Sequence, residues 1–342
     1  MPKKKIEMYQ RPDGLYERGV TIDGKRIRFR GKSPEEVIMK IAQYQGEKET
    51  GPKFKQLAEQ WRNAYEKEVE YNTYHKSTAA YNRVKEYFGE MYIREITPVH
   101  ISQFYNFLAV KKFSKKTVNN TKAILSNVFK YAIILGEVSS NPTTMVSIPK
   151  NLTQNKRELP SDDDIKKVKE SIGCTFGLFP FLVMYTGCRK GEALALQYGD
   201  IDLENKRVTI SKSAYFEGSK AKIKQPKTAA GIREIPLLDK LAVHIPKGKK
   251  EDYIFSSDGS MPYCHSAFNR LFKKYKEESG ITATPHQLRH AYATMLYEAG
   301  IDEKLAQELL GHADISTTKN IYTHIRSKKI DDAANALNKL DF

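Results

Sequence analysis

Apolar residues recur every three or four positions through the middle of the chain, which is the spacing of one face of an α-helix. The first such segment has its apolar positions at Phe54, Leu57, Ala58, Trp61 and Tyr65. Further helices are predicted over Ala79–Phe88, from Pro98 through Leu108, and over Ser114–Leu135. Glycine follows the second and the last of these segments, as expected at a helix end. Residues 54–142 are therefore predicted to form a small helical bundle.

Residues 9–30 follow a different period, because polar and apolar residues alternate along much of this stretch. Arg26, Arg28 and Arg30 each lie beside apolar neighbours in this alternation. A period of two is that of a β-strand, and it places the three arginines on one face of a sheet. That face is either a solvated basic surface or a strand face for a DNA groove.

The same region contains two hairpin turn signals, Asp13-Gly14 and Asp23-Gly24. A helix is then predicted from the cap residue Ser33 through about Tyr44, with a proline in its first turn. Residues 45–53 are polar and are predicted to be a linker.

The second half of the chain mixes both periods, after a predicted linker at 143–160. Helices are predicted at 161–172, 177–187, 189–197, His265–Ser279, Pro285–Ala299, Glu303–Leu310, Ser316–His324 and Ser327–Leu340. Strands are predicted at Arg207–Ser211, Lys222–Gln225 and Ile232–Pro236. The fold is thus expected to be mostly α with small β pieces. Its predicted domains are a small β-sheet plus helix at 1–45, the bundle at 54–142, and a mixed α/β domain at 158–342.

The charge of the chain indicates what kind of partner it binds. The 342 residues include 57 Lys and Arg against 41 Asp and Glu, a formal net charge of +16. Such a surplus favours a polyanion, most often nucleic acid. No run of 18 apolar residues predicts a membrane span, and the basic N-terminus lacks the apolar stretch of a secretory signal. The three cysteines form no CxxC pair, which favours a reducing cytoplasm over a disulfide or zinc framework.

Part of the positive charge is concentrated where the last two predicted helices of the bundle are joined. Lys111, Lys112, Lys115 and Lys116 lie within six residues there. They are candidate DNA contacts, and a solvated surface is the alternative explanation of such a run.

Two stretches carry candidate chemistry in the mixed domain. In TGCRKGEALALQ, residues 186–197, Arg189 and Glu192 are three residues apart near a helix start. On a helix they share a face and can pair, although a surface ion pair has the same spacing. Further on, Lys227 follows a proline in a turn between two predicted strands. A lysine at a hairpin tip is commonly only solvated.

Two more stretches lie nearer the C-terminus. In TPHQLRHAYATML, residues 284–296, His286 and Arg289 share a face at a helix N-terminus, with His290 one residue further round. Such a position is a natural phosphate site. In LLGHADISTTKNIYTH, residues 309–324, His312 precedes Tyr322 by ten residues. Nothing local distinguishes Tyr322 from the other tyrosines among the 20 in the chain.

Taken in order, these residues resemble the signature of the tyrosine recombinases of the phage-integrase type. That signature has an arginine in a TGxRxxE context, a hairpin lysine, an HxLRH box, an LGH box and a tyrosine shortly after. The matching residues here are Arg189 with Glu192, Lys227, His286 through His290, Leu310-Gly311-His312, and Tyr322. The resemblance is strong over 158–324, while 54–142 looks like the family's core-binding domain and 1–45 like its arm-binding domain. The interval between His312 and Tyr322 is one residue longer than in many members.

The resemblance implies cleavage of a phosphodiester by Tyr322 as nucleophile. Arg189 and Arg289 offer planar forks to the non-bridging oxygens. Lys227 acts as general acid on the leaving 5′ oxygen, His286 accepts the tyrosine proton or holds the phosphate, and His312 donates to a non-bridging oxygen. Glu192 and His290 support this set. No step requires a metal or a nucleotide cofactor, and the sequence contains neither a Walker loop nor a cluster of acidic metal ligands.

The implied partners are DNA attachment sites of core and arm type, three further copies of the chain in a homotetramer, and accessory factors such as an excisionase and a host DNA-bending protein. An apolar stripe from Ile330 to Leu340 either packs on its own domain or docks on a neighbouring subunit. Residues 1–45 favour an integrase of a phage or an integrative element. The alternatives are a Xer-type resolvase, a type IB topoisomerase-like enzyme and a non-catalytic DNA-binding relative.

Overall fold

The computed structural model describes residues 8–22, 25–154, 159–225, 231–323 and 325–326, with the backbone alone at residues 25 and 47–49. The chain divides into two compact units, Met1–Asn155 and Lys156–Phe342. Over the described ranges, no helix is both long enough and apolar enough to cross a membrane. The Asp23-Gly24 turn, Lys227 and the apolar stripe from Ile330 to Leu340 lie outside these residues.

The first unit begins with a three-stranded antiparallel sheet in the order β1-β2-β3. The strands are β1 (Tyr9–Gln10), β2 (Tyr16–Ile22) and β3 (Lys25–Gly31). Helix α1 (Pro34–Thr50) follows and buries Val37 and Ile41. The predicted linker at 45–53 is wrong, because α1 continues six residues beyond Tyr44. Its last turns are rich in Gln, Glu and Lys, which are polar but good helix formers.

Four helices follow in the first unit, with a 3₁₀ turn at Ile93–Glu95 between the second and third of them and another at Pro142–Met145 after the fourth. They are α2 (Phe54–Glu68), α3 (Tyr71–Phe88), α4 (Pro98–Val110) and α5 (Lys115–Ile134). Phe54, Phe88, Phe104 and Phe129 are fully buried in their shared core.

Helix α3 begins eight residues before the predicted start at Ala79. Its first turns contain Asn, Thr and Ser, which are weak helix formers, and few apolar residues. A tertiary contact supports them, since the guanidinium of Arg62 donates to Ser77 Oγ, to Thr78 Oγ1 and to the carbonyl oxygen of Tyr74. Contacts from another helix have no signature in the local pattern.

The second unit combines two small sheets with a helical framework. Its strands are β4 (Ile201–Asp202), β5 (Arg207–Ile210), β6 (Ser213–Glu217), β7 (Lys220–Lys224) and β8 (Arg233–Pro236). Its helices are α6 (Asp162–Glu170), α7 (Leu178–Thr186), α8 (Lys190–Leu194), α9 (Asp239–Ala242), α10 (His265–Ser279), α11 (Pro285–Glu298) and α12 (Glu303–Leu310), and residues 315–323 are also helical. A 3₁₀ turn covers Tyr198–Asp200. Helix α7 is buried along its length in the main core.

The strand pairing corrects one prediction. Strand β7 pairs with β6, and β8 pairs with β5, so the strands on either side of Lys227 belong to different sheets. The prediction of a hairpin with Lys227 at its tip is therefore wrong. Strand β6 was not predicted. Its register with β7 depends on side chains from elsewhere in the unit, and the local alternation of polar and apolar residues carries no information about them.

Helix α8 is also shorter than the predicted helix over 189–197, ending at Leu194. The chain leaves the helix because its backbone pairs elsewhere: the N–H of Ile254 donates to the carbonyl of Leu196, at 3.0 Å. Gln197 then forms a β-bridge with Tyr253. The apolar residues after the helix are buried by this pairing and not by another helical turn.

Candidate active site

Four of the six predicted catalytic residues meet around one open cavity of about 490 Å³ in the second unit. They are Arg189, His286, Arg289 and His312. The cavity is also lined by Lys190, Pro285, Ala313, Asp314 and Thr317. Residues separated by more than a hundred positions in the sequence are thus brought together by the fold.

The junction between α7 and α8 sets the position of Arg189. Gly187 ends α7 with φ +65°, and a Cβ there would lie 2.3 Å from the ring of Tyr292. A side chain at this position would therefore be both strained and blocked. The chain turns at Gly187, and Arg189 becomes the residue immediately before α8.

Glu192 pairs with Arg189, as the sequence predicts. Arg189 donates from its backbone N–H to Oε2, at 2.9 Å, and from Nη1 to Oε1, at 2.7 Å. Glu192 is buried, whereas nearly half of the Arg189 side chain remains accessible. The carboxylate therefore lies behind the arginine and orients it toward the cavity.

Arg233 is a member of this cluster that was not predicted. It is buried at the start of β8, and its Nη2 donates to Glu192 Oε2, at 2.8 Å. Burial alone would raise the pKa of Glu192, but the hydrogen bond and charge of Arg233, together with Arg189, lower it below the ordinary value. One sequence signal was available: Arg233 is in phase with the buried Ile235 along β8, so it occupies an inward position.

The C-terminal end of α12 holds three guanidinium groups through three consecutive carbonyl oxygens. Arg233 Nε donates to Leu309, at 2.8 Å, and Arg289 Nη2 donates to Leu310, at 2.6 Å. Arg189 Nη2 donates to Gly311, at 2.6 Å. The last carbonyls of a helix lack partners within the helix and carry the negative end of its dipole. Three arginines that would repel one another are stabilised side by side by these acceptors.

Gly311 makes this close approach possible. It adopts φ +65° after α12, and a Cβ at this position would lie 2.7 Å from Nη1 of Arg233. The glycine of the LGH box therefore satisfies two requirements, a left-handed backbone and space for a buried arginine.

Helix α11 presents the second arginine and two histidines. Thr284 caps the helix by accepting from the N–H of Gln287, and Pro285 occupies its first turn. Arg289 is buried and donates from Nη1 to the carbonyl of Gly187, at 2.8 Å. Burial, reinforced by the nearby Arg189, lowers the pKa of Arg289 to about 9, so it is still protonated at neutral pH.

His286 and His290 are one turn apart on α11, and their Nε2 atoms are 3.2 Å apart. His286 lines the cavity, whereas His290 is buried behind it. One of the two rings therefore donates to the other when the pair is neutral. His290 is placed to fix the orientation of His286.

His312 is buried and in contact with Thr318, with 2.9 Å between Nδ1 and Thr318 Oγ1. Burial and the neighbouring Arg289 and Arg189 lower the pKa of His312 to about 3, so the ring is neutral at physiological pH. When the Thr318 hydroxyl donates to Nδ1, the ring proton lies on Nε2.

Tyr322 is not part of the cavity lining. Its hydroxyl donates to the carbonyl of Ile301, at 3.3 Å, and its ring makes an edge contact with Tyr297. Burial, followed by the nearby Asp302 and Glu303, raises the pKa of Tyr322 to about 12. The structure thus assembles the arginines and histidines and leaves Tyr322 in a separate apolar cluster.

The predicted DNA-contacting residues all belong to the first unit. Arg26, Arg28 and Arg30 are exposed, in agreement with the two-residue period, while Ile27 and Phe29 are half-buried. Glu17 on β2 faces two of them, with ion pairs of 2.7 Å to Arg30 Nε and 3.8 Å to Arg28 Nε.

The lysine run begins in the turn after α4, at Lys111 and Lys112, and ends at the first two residues of α5, Lys115 and Lys116. Lys111, Lys112 and Lys116 are exposed, and Lys115 is half-buried. In the described part of the chain, none of the four is paired with a carboxylate.

Comparison with known proteins places this arrangement in a family. The profile described as Phage integrase family matches residues 164–329, and that described as Phage integrase, N-terminal SAM-like domain matches residues 53–109. The chain is 28% identical to the ICEBs1 integrase of Bacillus subtilis over 277 residues, which are 75% of this chain and 74% of that protein. A lambda integrase tetramer bound to a Holliday junction has a similar fold, with a TM-score of 0.63 at 19% identity, covering 92% of this chain and 94% of that one.

A tyrosine recombinase XerC-like protein of Caldanaerobacter subterraneus subsp. tengcongensis is 31% identical to the chain over 294 residues. The aligned part covers 76% of this chain and 75% of that protein. Identity at this level over three quarters of both chains establishes common ancestry along most of their length. The chain therefore belongs to the phage integrase family and is a tyrosine recombinase, an enzyme that breaks and rejoins DNA strands.

Proposed function

We propose that this recombinase is the integrase of a phage or an integrative element. It cuts attachment-site DNA through a 3′-phosphotyrosine link at Tyr322 and rejoins the strands to a new partner. The observation that carries the proposal is the convergence of Arg189, Arg289, His286 and His312 on one cavity with a surplus of positive charge. A phosphodiester is the substrate that this charge fits.

The two arginines neutralise the charge that develops on the phosphate. Arg189 donates from its two Nη atoms to Glu192 and Gly311, and Arg289 donates from its two Nη atoms to Gly187 and Leu310. Each guanidinium carries five N–H donors, so further N–H groups remain to face the non-bridging oxygens. Because these acceptors hold both forks before DNA arrives, little reorganisation is needed in the transition state. Loss of one such preorganised donor costs roughly 100- to 1000-fold in rate.

The histidines differ in their roles. Neutral His312 donates Nε2–H to a non-bridging oxygen when Thr318 fixes its tautomer. His286, braced by His290, accepts the proton of the tyrosine hydroxyl or holds the phosphate. Lys227 delivers a proton to the 5′ oxygen as the P–O5′ bond breaks, and the new bond joins phosphorus to the oxygen of Tyr322.

Tyr322 leaves the carbonyl of Ile301 before it reacts. In its present surroundings its raised pKa keeps it protonated and unreactive. Beside the arginines, positive charge would lower that pKa and favour the phenolate. The phosphotyrosine bond keeps the energy of the broken strand, so rejoining consumes no ATP.

DNA is held at two further surfaces of the first unit. The exposed arginines at positions 26, 28 and 30 contact arm-type sites. The lysines at 111, 112, 115 and 116, which have no carboxylate partner among the described residues, contact the core site. Surface cations that have no carboxylate partner are suited to phosphate contacts, because each phosphate they neutralise releases counterions from the DNA.

The active form is a homotetramer on two DNA duplexes in the bacterial cytoplasm. The lambda integrase of similar fold was solved as a tetramer on a Holliday junction, which supports this part of the proposal. The apolar stripe from Ile330 to Leu340 docks on a neighbouring subunit, and an excisionase and a host DNA-bending protein direct the reaction.

A Xer-type resolvase is the second candidate, because one similar protein is named XerC-like. The sheet and helix at residues 9–50 favour an integrase, since resolvases of that type generally lack such a module.

The test is a nicked suicide duplex that carries the core site mapped from the joined ends of the element. Wild-type protein is expected to form a covalent adduct that resists SDS, and Tyr322→Phe to form none. Tyr297→Phe, which keeps the ring beside Tyr322, is the matched control and should retain the adduct. An undiminished adduct with Tyr322→Phe would contradict the proposal. Relaxation of supercoiled DNA without any site would favour a topoisomerase-like enzyme.

A further inference from the structure

Lys190 lines the same cavity as the arginines but lies outside the family signature. It is the first residue of α8, directly after Arg189, and is half-buried. In the pattern TGxRxxE its position is unconstrained, so the signature gives Lys190 no role.

Two aromatic rings hold its ammonium. Nζ lies 4.3 Å from the ring centre of Phe268 on α10 and 5.4 Å from that of Phe216 on β6. Cation–π contacts of this kind stabilise a charge that has lost part of its hydration. Gly191 allows α8 to approach β6 this closely, because a Cβ there would lie 2.5 Å from the carbonyl oxygen of Ala214.

No carboxylate neutralises Lys190 within the described part of the chain. Glu192 is engaged by Arg189 and Arg233, and the carboxylate of Asp314, which lines the same cavity, is hydrogen-bonded to Ser316 and makes no ion pair with Lys190. Burial lowers the pKa of Lys190, which shows that its surroundings disfavour the charged form. Lys190 is therefore a cation without an ion pair among the described residues, and the faces of the two rings compensate only in part for its lost hydration.

We propose that Lys190 Nζ binds a non-bridging oxygen of a backbone phosphate of the core-site DNA, as a cation additional to the six signature residues. The proposal rests on the proposed function, because it requires core-site DNA in this cavity. The aromatic pair holds the ammonium at the cavity wall in the free protein, and the phosphate supplies the missing negative charge in the complex. Lys190 thus adds affinity and positions the DNA beside Arg189.

The test compares Lys190→Met with wild type in binding to an intact core-site duplex. Methionine keeps an unbranched stem and packs favourably against aromatic rings, so the change removes the charge and preserves the packing. We expect affinity to fall about 10-fold at physiological salt, as for loss of one charged hydrogen bond. The slope of log K against log salt should fall in magnitude by about 0.9, the value for one phosphate contact.

A methylphosphonate scan of the core site identifies the phosphate. At one position, the uncharged linkage should weaken wild-type binding but leave Lys190→Met binding unchanged, because the contact is already lost. Lys166→Met, at an exposed lysine paired with Glu170, is the matched control and should behave as wild type. Thermal unfolding of each variant verifies that the fold is retained.

The outcomes separate the two proposals. If wild type binds the core site but Lys190→Met keeps the full salt slope and responds to every methylphosphonate as wild type does, the assignment to Lys190 is wrong. Binding needs no cleavage, so this result stands whether or not an adduct forms. If wild type forms no adduct, the proposed function falls, and the phosphate scan still decides the role of Lys190.

Discussion

Arg189 and Gly311 are 122 residues apart in sequence, and the guanidinium of the first donates a 2.6 Å hydrogen bond to the carbonyl of the second. Gly311 ends α12, and the two preceding carbonyls accept from Arg289 and Arg233. The LGH box is thus more than the position of a histidine. Its backbone is the acceptor that sets the spacing of the arginines.

Substitution of Gly311 by alanine should separate the role of this backbone from simple strain. The left-handed conformation costs a non-glycine residue about 1–2 kcal/mol, and the new Cβ would also press on Arg233. We expect a loss of folding stability and a fall in adduct formation of about 100-fold, the scale of one misplaced donor. Urea unfolding and the suicide duplex measure the two effects.

Gly300 offers a control for the strain alone. It adopts φ +71° at a helix end, and a Cβ there would meet nothing within 4 Å. Gly300→Ala should lose similar backbone energy and keep adduct formation. Equal activity of the two alanine variants would contradict the role assigned to Gly311.

Removal of Arg233 should destabilise the second unit. Arg233→Met removes the 2.8 Å partner of Glu192 and leaves it buried with Arg189 and the more distant Nη1 of Arg289, at 3.9 Å. Breaking a buried ion pair costs about 3–5 kcal/mol. The double variant Arg233→Met with Glu192→Met removes both buried charges and should be less destabilised than the single variant. Chemical unfolding measures this difference, and a double variant that is the least stable of the set would argue against the ion pair.

The same pair predicts a pH dependence with a definite sign. The folded-state pKa of Glu192 is lowered, so its contribution to stability is complete above the ordinary carboxyl pKa of about 4.3. It is lost as the pH falls from there through the lower folded-state value. Wild type should lose more stability than Glu192→Gln between pH 5 and pH 3, as measured by unfolding at each pH. Parallel losses in the two proteins would count against this assignment.

His312 should stay neutral in the free protein from pH 8 down to about pH 4. Its pKa of about 3 lies below that of unfolded histidine, so protons favour the unfolded state and stability falls as the pH drops below about 6.5. Nitrogen-15 shifts of the imidazole report the charge and the tautomer. A ring that titrates near pH 6.5 would show that burial and the arginines do not act as described.

Thr318 should control that tautomer. Thr318→Val removes the hydroxyl that contacts Nδ1 and keeps the shape of the side chain. Loss of one hydrogen bond of about 1 kcal/mol should mix the two tautomers and lower adduct formation about 5-fold. The imidazole nitrogen shifts and the cleavage rate test the two effects together, and Thr209→Val, on β5 and not among the residues that line the cavity, is the control. A wild-type tautomer ratio in Thr318→Val would exclude this role.

Replacing Arg26, Arg28 and Arg30 by glutamine should spare cleavage of a core-site duplex and weaken binding to longer attachment DNA. All three are exposed, surface ion pairs such as those with Glu17 contribute little, and Arg11 still pairs with Glu17, so the fold should be retained. The salt slope of binding to the longer DNA should fall in magnitude by up to about 2.7, or 0.9 for each phosphate contact. Replacing Lys166, Lys273 and Lys274 by glutamine is a matched change in charge on another surface. If the two triple variants weaken binding to the longer DNA equally, the arginine face has no special role in that binding.

The sequence determined much of the chemistry because the signature depends on residue identity and order, both of which are visible in one dimension. Arg189, Glu192, His286, Arg289 and His312 were found in this way, and four of them line one cavity. The recurrence of apolar residues every three or four positions also located most helices. Each helix buries one face, and this recurrence is visible within a short stretch of sequence.

Tertiary structure alone decided how the site is held together and what lies outside it. Arg233 reaches Glu192 from 41 residues away, and β7 pairs with β6 and not with β8. Tyr322 shares an apolar cluster with Tyr297 and not the cavity with His312. Each depends on contacts between segments that are distant in sequence, whose energies come from burial and pairing in three dimensions and leave no periodic trace along the chain.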